Sequence, residues 1–139
     1  MIRAVAGVNL LASAVLLFCF TGCDKGGNDA SLPPAERANR FDQFAKVGMD
    51  WTELAAKFKP AKYNFGLSEP GDPTKHRGGT PWVDYKSDND FRQALKDTKD
   101  VDGFELKYIW SQKPDVWTEA VFSKDGKLES FDRTGDFNR

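Results

Sequence analysis

Hydrophobic and polar residues alternate most clearly in the last third of the chain. Phe104, Leu106, Tyr108 and Trp110 alternate with Glu105, Lys107 and Ser111, broken only by Ile109, and this period of two marks a half-buried strand. Val116, Thr118, Ala120 and Phe122 repeat the pattern, with Trp117 and Val121 on the opposite face. Ser123-Lys124-Asp125-Gly126-Lys127 reads as a hairpin turn, because glycine accepts the positive φ such turns require, and Lys127 to Arg133 supplies a third strand. An antiparallel meander of three strands follows, whose apolar face needs a cover.

The helical period appears earlier. Phe41, Phe44, Ala45 and Val47 recur on one side of a segment that starts with Pro33-Pro34, which predicts a helix over 34–47 with Gly48 as its left-handed C-terminal cap. Asp50-Trp51-Thr52-Glu53 has the spacing of a capping box, and Leu54 and Phe58 lie four apart on one face before Lys59-Pro60 ends the second helix. A third helix is expected from Ser87 or Asp88 to Lys99, with Phe91 and Leu95 facing inward. Between them, residues 60–86 carry eight glycines and prolines and predict a long loop, in which Ala61 to Phe65 has room for a short strand. The fold class expected is α+β, with two or three short helices packed on one face of a three-stranded antiparallel C-terminal sheet.

The 139 residues hold Lys+Arg 20 against Asp+Glu 21, for a net charge of −1. That size fits one domain, and so even a charge provides no field for gripping phosphate backbones, so nucleic acid is not an expected partner. The first twenty residues are different. Arg3 precedes an uncharged apolar run through Leu10, Leu11, Val15, Leu16, Leu17, Phe18 and Phe20, the layout of a signal peptide. The run ends in Phe20-Thr21-Gly22-Cys23, followed at once by polar Asp24-Lys25-Gly26-Gly27-Asn28-Asp29.

This junction resembles a bacterial lipobox. The resemblance implies that Cys23 receives a diacylglycerol, that residues 1–22 are removed, and that residues 23–32 form a flexible tether to a single domain over 33–139. Cys19 leaves with the leader, so the exported domain is expected to fold without a disulfide. The chain would then be lipid-anchored to a bacterial membrane with its domain in the periplasm or cell exterior. Asp24 resembles the inner-membrane retention signal of enteric bacteria, and the choice of membrane stays open.

Two further segments, Val47-Gly48-Met49-Asp50-Trp51-Thr52-Glu53-Leu54-Ala55-Ala56-Lys57-Phe58-Lys59-Pro60 and Phe122-Ser123-Lys124-Asp125-Gly126-Lys127-Leu128, are similar to the helical hairpin and closing turn of the SmpA/OmlA (BamE-like) lipoproteins. The resemblance implies an α-α-β-β-β layout akin to β-lactamase inhibitor protein and a role as an outer-membrane assembly accessory.

Chemistry-bearing constellations are sparse. His76 is the single histidine, without the cysteines and histidines a zinc cluster needs and without a nucleophile elbow. Asp84, Asp88 and Asp90, or Asp97, Asp100 and Asp102, lack calcium-loop spacing and read as helix caps and solvated turns. No metal, no cofactor and no catalytic residue is expected. Aromatic residues stand out at 13 %, with four tryptophans. Most belong in the core, but Trp117 with Val121 on the outward side of its strand, and Trp82 with Tyr85 in the loop, are the expected partner-binding residues. The function expected is binding of another envelope protein. The alternatives are a periplasmic inhibitor or immunity protein that plugs a secreted toxin or cell-wall hydrolase with residues 66–86, and an enzyme of unassigned chemistry.

Overall fold

The computed structural model describes residues 30–139. The leader, Cys23 and most of the tether lie outside the described residues, within which no helix is long and apolar enough to cross a membrane. The elements run α1 (Pro34–Phe44), α2 (Trp51–Lys57), β1 (Lys62–Glu69), β2 (Asp72–Gly79), β3 (Val83–Asp84), α3 (Asp88–Asp97), β4 (Val101–Gln112), β5 (Asp115–Ser123) and β6 (Leu128–Thr134).

The expectation of a three-stranded sheet with two or three helices on one face, and the α-α-β-β-β layout akin to β-lactamase inhibitor protein implied by the BamE-like resemblance, are overturned. The strands form one six-stranded antiparallel sheet in the order β2-β1-β4-β5-β6, with the short β3 pairing with β1 beside β2. The physical reason lies in β4. A meander alone would leave one edge of this twelve-residue strand unpaired, and β1 takes that edge along 62–67. Residues 60–86 are therefore largely strand. Pro70-Gly71 makes the two-residue link between β1 and β2, with Gly71 at φ +80°, the value wanted at the third position of a type II turn. Pro73 stands on the edge strand, where a missing N–H is tolerated. Glycine and proline, which read along the chain as breakers, here close a hairpin.

The two faces of the sheet differ. Tyr63 and Phe65 of β1, Phe104, Leu106, Tyr108 and Trp110 of β4, and Val116, Ala120 and Phe122 of β5 are all buried. Thr118 is buried among them and its hydroxyl accepts the Trp110 Nε1 hydrogen at 2.8 Å. Two phenylalanines key the helices onto this face. Phe41 of α1 meets Tyr108 at 4.7 Å, Phe58 at 5.2 Å and Trp110 at 5.5 Å between ring centroids. Phe91 of α3 meets Trp51 at 4.9 Å, Phe104 at 5.0 Å and Tyr63 at 5.1 Å. Such offset and edge-on pairs add to the burial of rings that each remove a large area from water. At one end, Arg37 of α1 donates to the Trp110 carbonyl at 3.0 Å. Arg133 of β6 pairs with Asp42 of α1.

α1 ends earlier than the periodicity predicts, at Phe44 with an extended Ala45 as its cap. Gly48, at φ +89°, is no helix cap; its N–H donates to the Leu128 carbonyl at 2.7 Å. Leu128 N–H returns the bond to Met49 at 2.8 Å, and Trp51 N–H donates to the Gly126 carbonyl at 2.9 Å. The start of α2 is thus stitched to the turn between β5 and β6. A Cβ on Gly126 would fall 2.7 Å from Trp51 Cδ1, so glycine is needed there for approach as well as for its φ of +81°. At the other end of the sheet, Gly135 follows β6 so closely that a Cβ on it would lie 2.1 Å from the Asp115 carbonyl oxygen.

Asp50 caps α2, accepting from Thr52 N at 2.9 Å and Thr52 Oγ1 at 2.6 Å. These bonds, with Lys127 Nζ at 3.3 Å, hold its carboxyl below the usual aspartate range against a smaller opposing effect of burial. A depressed folded-state pKa stabilises the fold above the ordinary value of about 3.9, and that stabilisation is lost as pH falls through the folded value. Asp50→Ala is expected to cost about 1 kcal/mol and lower Tm by about 4 °C at pH 7, with a smaller deficit at pH 3. Thermal melts at the two pH values check this; an equal deficit at both would assign the effect to packing.

Candidate functional site

Residues on β4 and β5 that point away from the helices form the outer face. Cross-strand register fixes their neighbours: Glu105 opposes Val121, Lys107 opposes Glu119, and Ile109 opposes Trp117. On the other side of β4, Lys62 of β1 opposes Lys107 and Asn64 opposes Glu105. Among the described residues no helix covers these positions, and each is half-buried.

Lys107 organises one end of this face. Its ammonium lies 4.3 Å from the Trp82 ring centroid and 5.1 Å from that of Trp117, and 2.9 Å from Glu119 Oε1. The same carboxylate oxygen accepts the Trp117 Nε1 hydrogen at 2.9 Å. Only 17 % of the Lys107 side chain is exposed. A cation partly stripped of water gains more from an aromatic face than one in bulk solvent, up to about 2 kcal/mol. Trp82 enters from the residue before β3, and Lys62 is held at 3.1 Å from Asp84 of that strand. Trp82, Lys107, Ile109, Ser111, Asp115 and Trp117 line most of a groove of about 310 Å³. Two indoles and an isoleucine give it apolar walls, and two lysines and an aspartate give it charge of both signs.

A second cleft, of about 290 Å³, opens at the other end of the same face. His76 of β2 reaches over β1 to Asp102 of β4, with Nδ1 at 2.6 Å from Oδ2. The path is clear because β1 carries Gly66 there, where a Cβ would fall 2.6 Å from Asp102 Oδ1. The imidazole is 80 % exposed and the carboxylate 18 %. The two atoms approach closely without the alignment of a hydrogen bond, and Asp102 Oδ2 is buried with no hydrogen-bond partner. Glu105, Val121 and Glu129 line the cleft with four glycines, and no hydroxyl or thiol side chain faces the imidazole. Among the described residues, no three His, Cys, Asp or Glu side chains are arranged to hold a metal ion.

The structure brings Trp82 and Trp117 together and places Val121 farther along the same face. Tyr85 does not join them. It is buried in the core, with its ring 5.7 Å from Phe91 and its hydroxyl donating to Asp88. Burial and the Asp88 carboxylate push its phenol far above the usual tyrosine range. Lys107 and Glu119, which organise the groove, escape a reading of the chain because isolated charges on a strand signal only a solvated face. Their signal was the strand alternation itself, which puts both on the side of Trp117.

Comparison with known proteins gives no matching family model, no matching curated protein and no matching solved structure.

Burial raises the Glu105 carboxyl above the usual glutamate range, and repulsion from Glu119 adds to this while Lys107 opposes it. A raised folded-state pKa means that ionisation opposes folding, so stability present at low pH is lost as pH rises through the folded value. Glu105→Gln is expected to raise Tm at pH 7 and to leave it unchanged near pH 4. A neutral-pH melt no higher than that of the parent would show that the carboxylate is already compensated.

Proposed function

We propose that the chain is a membrane-anchored envelope lipoprotein that works by binding another protein on the outer face of its sheet. The observation that carries this reading is the groove built by Trp82, Lys107 and Trp117. The outward face of a sheet whose other face buries the core would be polar if it served no further purpose, whereas this one concentrates two indoles and an isoleucine around a desolvated cation. Tryptophan and fixed charge in a shallow, half-covered groove are the composition of protein-binding hot spots. Anchoring rests on the lipobox-like junction at Cys23.

We propose a role as an outer-membrane assembly accessory on the sequence similarity to BamE-like lipoproteins alone. The two segments that carry the similarity, 47–60 and 122–128, are far apart in the chain yet joined by the hydrogen bonds of Gly48, Trp51 and Leu128.

Two experiments test the proposal. Cys23→Ser is expected to move the protein from the membrane fraction to the soluble fraction, with intact mass showing loss of the diacylglycerol; retention on membranes would refute anchoring through this thiol. Trp82→Ala and Trp117→Ala are each expected to weaken capture of the partner from solubilised membranes at least tenfold, about 1.4 kcal/mol. Their Tm is expected to fall by only a few degrees. A large drop in Tm with unchanged capture would assign both rings to stability alone.

A further inference from the structure

Unmatched charge on the outer face of the sheet is all of one sign. Both lysines there are matched, Lys62 at 3.1 Å from Asp84 and Lys107 at 2.9 Å from Glu119. Three carboxylates are not. Among the described residues, Glu105, Glu129 and Asp132 make neither an ion pair nor a side-chain hydrogen bond. Asp132 stands directly opposite Glu119, and like charges facing each other across a strand pair work against the sheet. Glu105 is half-buried opposite Val121, where burial raises its carboxyl and repulsion from Glu119 adds to this. Lys107 opposes that rise, but its ammonium is already committed to Glu119 and two indole rings. A half-buried carboxylate without a counter-ion costs stability, and departures of this kind concentrate where a chain does its work.

The second cleft gathers two of these groups. Glu105 and Glu129 line it together with Asp102, whose Oδ2 is buried with no hydrogen-bond partner. Its floor is bare peptide. A Cβ on Gly66 would fall 2.6 Å from Asp102 Oδ1, and one on Gly103 would fall 2.6 Å from the Phe122 carbonyl oxygen. About 290 Å³ above that floor admits one long side chain. We infer that the protein bound on this face is basic, and that it sets an arginine side chain in the cleft while an apolar side chain enters the groove of Trp82 and Trp117. Arginine suits the cleft better than lysine does. Its planar guanidinium lies flat on peptide groups, gives up less hydration than an ammonium, and offers five donors to carboxylates on different sides. Complementary charge also speeds arrival of a basic partner and rejects acidic competitors. This inference rests on the binding reading above and names the chemistry of the partner.

The test uses the full lipidated chain, isotope-labelled and held in dodecyl maltoside micelles, and reads backbone amide shifts by NMR. Acetyl-arginine amide is expected to shift Gly66, Gly79 and Gly103 saturably. The neutral acetyl-citrulline amide is expected to shift them at least fivefold less at equal concentration. Combining Glu105→Gln with Glu129→Gln is expected to weaken arginine amide binding at least fivefold, and the melt of the double variant confirms that it folds. Capture of the partner from solubilised membranes is expected to fall with it. An equal response to citrulline, a response unchanged in the double variant, undiminished capture by that variant, or shifts confined to Trp82 and Trp117 would each overturn the inference. Displacement of the arginine amide by a lower concentration of calcium chloride would assign the cleft to a metal ion and overturn it too. These failures are separable from those of the binding proposal: Trp82→Ala and Trp117→Ala report on the groove whatever the cleft holds, and the arginine amide reports on the cleft whether or not a partner is captured.

Discussion

Pairing of β4 on both of its edges is the constraint on which the rest of the molecule depends. The strand exchanges hydrogen bonds with β1 on one side and β5 on the other, and its alternation sends Phe104, Leu106, Tyr108 and Trp110 inward. A slip of one residue would bring Glu105 and Lys107 into contact with Phe41 and Phe91. The penalty for desolvating those charges fixes the register, and the register in turn fixes which residues neighbours β1 and β5 place on the outer face. The groove is a consequence of the core: once the aromatic residues of β4 are committed to the helices, Lys107 has only the outer side to occupy.

On that side, polar and apolar groups are organised together. Glu119 receives both Lys107 and Trp117, so a single carboxylate orients an ammonium and an indole at once. Held this way, the Trp117 ring forfeits little rotational freedom when another surface is laid against it, which is the condition under which a side chain adds most to affinity. The His76 end of the face is built differently. Its side chains bridge over a glycine floor, and burial, with a smaller repulsion from Glu119, raises the Glu105 carboxyl on its border.

Legibility of the fold followed the strength of local pattern. Alternation over 104–122 located β4 and β5, and the Asp-Gly pair located the turn into β6, because in each case the determining interaction lies within a few residues. The start of β1 was legible as a short strand over 61–65, whereas its continuation and β2 were hidden. The glycines and prolines over 66–79 carry no alternation; β1 is held by β4, about forty residues on in sequence, and β2 exists only as the hairpin partner of β1. The outward position of Trp117 was legible from parity, but its closeness to Trp82 was not, since that depends on where β3 lands. Tyr85 shows the converse: three residues from Trp82 in the chain, it turns to the opposite side of the sheet because Phe91 and Tyr63 offer a ring-sized space there.

The close passage of Gly135 against the Asp115 carbonyl has a practical consequence. It brings the outgoing chain past Asp115 at the lip of the Trp117 groove. Beyond it Phe137 folds back onto the core beneath Arg133, so a handle or reporter fused after Arg139 would bear on the helix-covered side of the sheet. The Pro70-Gly71 turn, at the far edge and bordered by exposed side chains, is the better place to splice one in.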